Sequence, residues 1–204
     1  KEIKTLDTSS FKAILSVCPY YVRPSQEGIF QHYLSIAQNS SLPIIVYNVP
    51  FRTSSSIEKE TLIRLSKNTN KIIAIKEASG DFSFSQDLIK NLPKSIQVIS
   101  GDDSLSVPML LSGAVGSISV IANAFPKQIS QMIAYCNSSE IERAYKIHFK
   151  LLDLISALFE EGNPTGIKEL MFQLSFCSNQ VRLPLTVASG KLSKRISKII
   201  KFLV

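Results

Sequence analysis

The sequence contains no tryptophan and few of the residues from which metal sites and disulfide frameworks are built. Two histidines and three cysteines occur among its 204 residues. Cys18, Cys136 and Cys177 are odd in number and far apart, and neither they nor His32 and His148 show a metal-ligand spacing. The sequence therefore predicts reduced thiols, structural histidines, no metal ion and, weakly, a cytoplasmic location.

Long apolar runs are also missing. No stretch approaches the roughly 18 consecutive apolar residues that predict a membrane-spanning helix, so we expect no membrane partner. The sequence carries no signal peptide, but it begins at Lys1 rather than at a methionine. We expect an N-terminal segment to precede it, so the lack of a targeting signal carries little weight.

Acidic residues are fewer than basic ones, 16 against 23, which gives a formal net charge of +7. Such an excess can indicate binding to nucleic acid or to an acidic surface. The basic residues are scattered, however, and the densest stretch, 191–201, alternates with isoleucine and leucine as a surface helix does. Because no basic run is interleaved with stacking aromatics, we predict no nucleic-acid partner.

The apolar residues that are present, 45% of the chain, are arranged in a repeating pattern. Short runs rich in β-branched residues alternate five times with helical stretches, which is typical of β/α units with a parallel sheet. The predicted strands are 11–17, 44–47, 72–75, 96–99 and 115–120, and the helices that follow them are 25–39, 56–67, 83–91, 104–111 and 126–135.

The pattern changes to helices alone after residue 136, with helices predicted at 138–160, 164–176 and 189–202. We interpret residues 1–136 as five β/α units of a (β/α)₈ TIM barrel and residues 137–204 as a C-terminal helical domain. Five units cannot close an eight-stranded barrel, so about three more units are expected before the first residue. Without them, the sheet would have an unpaired edge strand.

Lys76 lies where such a barrel carries its chemistry, at the C-terminal end of a predicted strand. Burial disfavours a charged ammonium, so we expect a lowered pKa and an amine that can attack a carbonyl to form a Schiff base. The alternative is a lysine at a strand end whose ammonium reaches solvent. This segment by itself favours the alternative.

Two other strand ends shift the balance towards chemistry. Tyr47 closes the second strand with a phenol that can pass protons, and Arg52 follows with a guanidinium that can bind a carboxylate through two parallel hydrogen bonds. The first strand runs into the adjacent aromatics Tyr20 and Tyr21. Three strands that each end in polar or aromatic residues fit a site on one face of a parallel barrel.

Four motifs occur in an order and at a spacing that resemble one enzyme family. They are Pro-Tyr-Tyr-Val-Arg-Pro-Ser-Gln-Glu-Gly at 19–28, Tyr-Asn-Val-Pro-Phe-Arg-Thr at 47–53, Ile-Lys-Glu-Ala-Ser-Gly at 75–80 and Ser-Gly-Asp-Asp at 100–103. Together they resemble the dihydrodipicolinate synthase family, Schiff-base lyases of lysine and diaminopimelate biosynthesis. The likeness extends to the Asn-Pro pair at 163–164 and to Arg-Leu-Pro at 182–184.

The resemblance implies a role for each matching side chain. Lys76 would form the imine with pyruvate, and Tyr47 would move protons at the reacting carbon and oxygen. Tyr21 would complete the proton relay in a neighbouring subunit of a homo-oligomer, a dimer of dimers. Arg52 would bind the carboxylate of the second substrate, L-aspartate 4-semialdehyde, which the enamine of pyruvate attacks to give 4-hydroxy-tetrahydrodipicolinate.

Three further positions follow from the same resemblance. Gly101 and Ile118 would line the pyruvate pocket with their backbones, and Tyr20 would belong to the lysine-inhibition pocket of feedback-controlled members. No metal or organic cofactor is implied, because the lysine itself serves as the electron sink. Asp102 and Asp103 precede a predicted helix, so we expect them to cap it rather than to bind a metal.

One departure from the family bears on activity. A Gly-Thr-Thr-Gly-Glu-like loop, which would hold the pyruvate carboxylate, does not occur in the sequence, so we expect activity from a longer protein rather than from this chain by itself. N-acetylneuraminate lyases and 2-keto-3-deoxy acid aldolases share the tyrosine and lysine but generally lack Arg52 in this context, which favours the synthase. A non-catalytic remnant with an interaction role is the remaining alternative.

Overall fold

Five parallel strands form one sheet, in the order β1-β2-β3-β4-β5, within the residues 9–203 that the computed structural model describes. The strands are β1 (Ile14–Val17), β2 (Ile44–Asn48), β3 (Ile72–Glu77), β4 (Gln97–Ser100) and β5 (Gly116–Ser117). Neighbours in the sheet are also neighbours in sequence, so each connection is a parallel crossover through helical structure. The predicted alternation of strands and helices is confirmed. The structure divides into two units, one ending at Ile118 and one beginning at Ser119.

The first unit contains the sheet and the helices that connect its strands. These helices are α1 (Gln26–Asn39), α2 (Pro50–Thr53), α3 (Lys59–Asn68), α4 (Phe82–Asn91) and α5 (Ser106–Ser112), with a 3-10 turn at Asp103–Leu105 before α5. Ser25 caps α1 by accepting a hydrogen bond from the Gly28 N–H at 3.2 Å. Asp102 caps the 3-10 turn by accepting one from the Ser104 N–H at 2.8 Å, which confirms its predicted capping role.

The core of the first unit lies between the sheet and the inner faces of its helices. Because the strands are covered by helices, their apolar residues form near-continuous runs rather than an alternating pattern. Burying one such aliphatic side chain contributes about 1.5–3 kcal/mol. The largest fully buried side chains of this unit are Ile29, Tyr33, Ile44, Ile57, Leu62, Leu65, Ile72, Ile75, Leu88 and Met109.

The second unit is helical. It contains a 3-10 turn at Ile121–Asn123 and the helices α6 (Pro126–Asn137), α7 (Ile141–Phe159), α8 (Thr165–Gln173) and α9 (Gly190–Ile200). The three predicted C-terminal helices correspond to α7, α8 and α9. The predicted domain boundary at 136/137 stays a prediction. No helix within residues 9–203 combines the length and apolar character that a membrane crossing requires.

Two strands are shorter than the sequence predicted. Residues 11–13 lie outside β1, and Phe11 is 63% exposed. The strand predicted at 115–120 reduces to Gly116–Ser117, because the chain then turns into the 3-10 turn at Ile121–Asn123. Runs of apolar and β-branched residues therefore predicted too great a length for the strands at both edges of this sheet. An edge strand has only one hydrogen-bonded neighbour, so less pairing is available to extend it.

Candidate active site

The carboxyl ends of β2, β3 and β4 meet at one edge of the sheet, which brings Tyr47 and Lys76 together. The two residues are direct partners in the parallel register between β2 and β3. Paired residues in adjacent parallel strands project to the same face, and the Lys76 Nζ lies 4.2 Å from the centroid of the Tyr47 ring. The structure thus juxtaposes the two groups to which the sequence assigned imine formation and proton transfer.

The amine of Lys76 lies in an environment that favours its neutral form. Lys76 is 9% exposed, and burial lowers the pKa of its ammonium. The Asp103 carboxylate partly opposes this effect, while the Arg52 guanidinium adds to it. A larger fraction of free amine is therefore present at neutral pH than for a lysine in water, which is the state that attacks a carbonyl.

The phenol of Tyr47 remains protonated at neutral pH. Burial raises its pKa, and the nearby Arg52 guanidinium opposes that rise without cancelling it. A protonated phenol can donate a proton and, once it has done so, accept one back. Since the charge of Arg52 influences both Tyr47 and Lys76, the guanidinium belongs to the same edge of the sheet.

Gly101 follows β4 and packs directly against the side chain of Lys76. A Cβ atom at this position would lie 2.9 Å from both Cγ and Cε of Lys76 and 2.7 Å from Cβ of Ala78. Such distances are below van der Waals contact, so any larger residue would displace the lysine. The Gly101 N–H donates to the Glu77 carbonyl at 2.7 Å, which fixes the peptide beside the Lys76 amine.

Ile118 lies on the other side of the end of β4. Its N–H donates to the Ser100 carbonyl at 2.9 Å. The hydroxyl of Ser106 bridges the ends of β4 and β5, since its Oγ lies 3.2 Å from that of Ser100 and 3.0 Å from that of Ser117. The backbones of Gly101 and Ile118 therefore flank one strand end. The pyruvate-pocket role that the family resemblance implies for them stays a prediction.

Tyr20 and Tyr21 do not join this group of side chains. They are 66% and 91% exposed, so neither ring is packed in the first unit. Tyr21 also adopts a left-handed backbone conformation, with φ of 71°, which is uncommon for a residue with a side chain. The predicted roles of both tyrosines across a subunit interface stay predictions.

A buried pair that the sequence analysis did not assign to the site lies immediately beside Lys76. Asn48 and Glu77 are partners in the register of β2 and β3, and the Asn48 Nδ2 donates to the Glu77 Oε2 at 2.8 Å. The other carboxylate oxygen accepts from the Ser79 N–H at 2.6 Å. Burial raises the pKa of Glu77, and the hydrogen bonds from Ser79 and Asn48 only partly offset that rise.

Sequence reasoning missed this pair because each residue was read within its own motif. The usable signal was conditional on the register: once Tyr47 is paired with Lys76 in adjacent parallel strands, the polar residues that directly follow them are paired as well. Sequence reasoning also predicted that Asp103 caps the helix that follows it. Instead, Asp103 is buried and its charge acts on Lys76.

No group of three histidine, cysteine, aspartate or glutamate side chains that could hold a metal ion occurs in the part of the chain that the structure describes. His32 packs edge-on against Tyr33, with ring centroids 5.2 Å apart, and burial lowers its pKa. The three cysteines are free thiols. The groups that meet at the sheet edge are an amine, a phenol, a guanidinium and the Asp103 carboxylate.

An amine and a phenol at adjacent strand ends of a parallel α/β fold define a candidate Schiff-base enzyme. The dihydrodipicolinate synthetase family model matches residues 3–203, and the chain belongs to this family. It is 46% identical to the 4-hydroxy-tetrahydrodipicolinate synthase of Flavobacterium psychrophilum over 201 residues, which cover 98% of this chain and 69% of the relative. The predicted family membership is confirmed.

Solved structures of the family support the same assignment. The dihydrodipicolinate synthase of Thermotoga maritima superimposes with a TM-score of 0.94 at 34% identity, covering 98% of this chain and 69% of that one. The synthase of Acinetobacter baumannii, solved in complex with pyruvate, gives a TM-score of 0.90 at 36% identity, with coverages of 94% and 66%. These likenesses confirm the predicted TIM-barrel fold family. The chain spans about two thirds of the length of these relatives.

Proposed function

We propose that the protein carrying this chain is a 4-hydroxy-tetrahydrodipicolinate synthase of lysine and diaminopimelate biosynthesis, acting in the cytoplasm without a cofactor. Its substrates are pyruvate and L-aspartate 4-semialdehyde. The observation that carries the proposal is the buried Lys76 amine, 4.2 Å from the Tyr47 ring, with a pKa lowered by burial. The names of the relatives favour this reaction over the lyase, aldolase and remnant alternatives.

The first half of the reaction uses Lys76 as the nucleophile. Its neutral amine adds to the ketone carbon of pyruvate, and the carbinolamine loses water to give a protonated imine. The iminium nitrogen then accepts the electron pair of a C–H bond at the methyl carbon, which leaves an enamine once that proton is removed. The Tyr47 ring lies 4.2 Å from the amine, and its phenol passes protons to and from the reacting atoms.

The second half of the reaction forms the new carbon–carbon bond. The enamine carbon attacks the aldehyde carbon of the semialdehyde, and the aldehyde oxygen takes up a proton. The amino group of the second substrate then displaces Lys76 by transimination, which closes the ring and restores the free lysine. The Arg52 guanidinium holds the carboxylate of the semialdehyde through two parallel N–H···O bonds.

Discrimination against related aldolases depends on Arg52 in this proposal. The short helix α2 positions it, since the Arg52 N–H donates to the Val49 carbonyl at 2.9 Å. Thr53 fixes the end of the same helix, with its Oγ1 donating to the Ser55 carbonyl at 2.7 Å. A cation just beyond the carboxyl end of β2 favours an aldehyde that carries a carboxylate over an uncharged sugar aldehyde.

The proposal extends to a homotetramer built as a dimer of dimers. The ring of Tyr21 is 91% exposed, and a ring presented in this way gains by packing at an interface, where aromatic residues are enriched. Tyr21 then completes the proton relay of a neighbouring subunit, and Tyr20 contributes to a lysine-binding pocket at the same interface. Mixing Tyr21→Phe subunits with Lys76→Ala subunits should restore a fraction of activity, and verified hetero-oligomers that stay inactive would contradict this arrangement.

The proposed chemistry is tested by trapping the imine. The protein is incubated with pyruvate and borohydride, digested and analysed by mass spectrometry. We expect the mass of a reduced pyruvate adduct on Lys76 and on no other lysine, with Lys71, immediately before β3, as an internal control. An adduct elsewhere, or none at all, would overturn the assignment.

A further inference from the structure

Asn48 and Glu77 form the centre of a chain of hydrogen bonds that crosses the ends of β2 and β3. The Asn48 Oδ1 accepts from the Ile57 N–H at 3.2 Å and from the Ser56 Oγ at 3.3 Å. The Asn48 Nδ2 donates to one oxygen of Glu77, and the Ser79 N–H donates to the other. Asn48 is fully buried and Glu77 is 1% exposed, so the protein itself must supply their partners.

The direction of each bond in this chain is fixed from its two ends. The N–H groups of Ile57 and Ser79 can only donate, because backbone amides have no acceptor function. Asn48 must therefore present its oxygen to Ile57 and its NH₂ to Glu77, and Glu77 must accept on both oxygens. An ionised carboxylate meets this requirement, whereas an amide at position 77 places an NH₂ against one of two donors. A flip of Asn48 does not help, since it would turn the NH₂ towards Ile57.

The chain also anchors the segment that carries Arg52. Residues 49–57 leave β2 at Asn48 and return to the same side chain at Ile57, so one asparagine fastens both ends of the loop. The Asn48 carbonyl accepts from the Ala78 N–H at 2.9 Å. Arg52 is thus connected to the residues that follow Lys76 through one buried asparagine and its partners.

A second set of hydrogen bonds holds the turn at residues 56–58 to α1. Breaking the buried chain of hydrogen bonds is therefore expected to displace this turn rather than to release it. The side chain of Gln26 donates to the Ser56 carbonyl at 2.8 Å and accepts from the Glu58 N–H at 3.0 Å. These bonds do not involve Asn48 or Glu77. The turn therefore remains attached to α1 when the buried chain is broken, but its position relative to β3 is no longer fixed.

We propose that Asn48 and Glu77 are positioning residues that hold Arg52 in register with the Lys76 amine and thereby determine the affinity for the carboxylate-bearing second substrate. Neither residue touches the substrate in this account. The inference rests on the proposed function. It holds that the distance between the Lys76 imine and the Arg52 guanidinium depends on the hydrogen bond from Asn48 to Glu77, whose carboxylate can only accept. It adds Glu77 and Asn48 to the residues on which selection of the semialdehyde depends.

The test is a pair of single variants and their combination. Glu77→Gln sets an NH₂ against a donor, and Asn48→Asp sets a carboxylate oxygen against the Glu77 Oε2. In the double variant, the carboxylate at position 48 accepts from the Ile57 N–H and from the new amide NH₂ at position 77, while the amide oxygen at position 77 accepts from the Ser79 N–H. The double variant therefore restores the pairing of every hydrogen bond and moves the negative charge across the register from β3 to β2.

The measurements are KM for the semialdehyde, KM for pyruvate and the rate of borohydride trapping. We expect each single variant to raise KM for the semialdehyde roughly tenfold, the size of one broken buried hydrogen bond to a charged group, with pyruvate trapping largely kept. The double variant should return this KM to within about threefold of the unmodified protein, since coupled residues are strongly non-additive. A general loss of structure would lower trapping as well and would not be reversed by a second substitution.

A matched control makes the same chemical change at an exposed site. Glu27 accepts from Gln31 Nε2 at 2.8 Å on the surface of α1, and Glu27→Gln should leave both KM values unchanged. Ser56→Ala serves if the buried variants do not fold, because it removes one of the two bonds to Asn48 Oδ1 at a partly buried position. It should raise KM for the semialdehyde about twofold to threefold, the effect of a weak neutral hydrogen bond.

The outcomes separate the two proposals. No pyruvate adduct in the unmodified protein would overturn the proposed function, whatever the variants do. With trapping intact, an unchanged semialdehyde KM in the single variants or in Ser56→Ala would overturn the positioning role. A double variant no better than the single variants would do the same. A selective rise in the single variants that the double variant reverses supports it.

Discussion

The two units of the chain each contain a buried glutamate, and the two differ in the direction of their pKa shift. Glu77, in the first unit, is 1% exposed, and Glu169, on α8 in the second, is 3% exposed. Burial raises the pKa of Glu77 above its ordinary value. Burial also acts to raise the pKa of Glu169, but hydrogen bonds from three side chains outweigh it, and the pKa of Glu169 is lowered.

The balance between burial and hydrogen bonds explains the difference. Glu169 accepts from Gln173 at 2.8 Å, from Ser193 at 2.7 Å and from Asn179 at 3.0 Å. Because Ser193 belongs to α9 and Asn179 to the segment between the helices, the carboxylate joins α8 to α9. Glu169 is thus a satisfied structural anion, as buried charges usually are.

For Glu77, burial outweighs the hydrogen bonds, and the electrostatic position is less favourable. Asn48 and Ser79 supply its hydrogen bonds, and the charge of Asp81 also raises its pKa. It follows Lys76 directly in β3, so its place is set by the reactive edge of the sheet. Equal burial therefore does not imply an equal role: one carboxylate fastens two helices, and the other maintains the geometry of a proposed site.

The largest expected effect is at Lys76, on which the proposed role of the Glu77 region depends. Lys76→Ala removes the nucleophile and should lower synthase activity roughly 10³-fold or more and abolish imine trapping. Lys76→Arg should fail as well, because a guanidinium stays protonated. Steady-state kinetics and mass spectrometry measure both effects, with Lys71→Ala, at the opposite end of the same strand, as the control. Retained trapping in Lys76→Ala would remove the reason for treating Glu77 differently from Glu169.

Arg52→Ala should have the next largest effect. Loss of the guanidinium leaves the carboxylate of the semialdehyde without its charged partner, and we expect about 100-fold weaker use of this substrate. Imine formation with pyruvate should persist, because Arg52 lowers rather than raises the pKa of Lys76. Separate measurement of trapping and of semialdehyde kinetics distinguishes the two steps. Equal loss of both would show that Arg52 is structural.

Glu169, which joins α8 to α9, should affect stability rather than catalysis. Glu169→Gln keeps the size of the side chain but places an NH₂ among three donors, so the free energy of unfolding should fall by about 1–3 kcal/mol. Thermal or urea unfolding measures this change. Imine trapping at a temperature where the variant is folded should stay normal, and a selective loss of trapping would mean that Glu169 has a role beyond joining α8 to α9.

Part of the candidate site could be predicted from the sequence, but the contrast between the two glutamates could not. Lys76, Tyr47 and Arg52 were found because strand ends in parallel α/β folds gather functional residues and because their motifs resemble a family. The Asn48–Glu77 bond depends on register, which a strand pattern alone does not fix. The Glu169 cluster depends on the packing of α8 and α9 and on Asn179 outside both helices, contacts for which helical periodicity carries no signal.

The boundaries of strands and helices were the other feature that the sequence predicted incorrectly. Local propensity predicted a strand from residue 115 to 120, but backbone pairing limits β5 to Gly116–Ser117. The helix predicted from residue 164 begins at Thr165. Pairing and packing decide these boundaries, and both are properties of the folded chain rather than of the local sequence.

The smallest expected effect is on the pH dependence of stability, where the two glutamates should act with opposite signs. The lowered pKa of Glu169 means that the folded state binds its proton less readily than the unfolded state. Its contribution is therefore present above its ordinary pKa of 4.5 and is lost as pH falls through the folded-state value. The raised pKa of Glu77 reverses this, since the folded state binds that proton more readily. Its contribution becomes less favourable as pH rises from 4.5 through the folded-state value.

Urea unfolding from about pH 7 down to about pH 3 measures both contributions, because the Glu77 window lies above 4.5 and the Glu169 window below it; each pKa unit of difference corresponds to about 1.4 kcal/mol. Removing the Glu169 carboxylate with Glu169→Gln should make the loss of stability towards acid shallower than in the unmodified protein. Removing the Glu77 carboxylate with Glu77→Gln should make it steeper, because the variant lacks the proton uptake that the raised pKa of Glu77 gives the folded state. The exposed Asp153→Asn variant on α7 is the control for a change of net charge. Two slopes that change in the same direction would show that the balance of burial and hydrogen bonds does not distinguish the glutamates, and the contrast between the two units would fail.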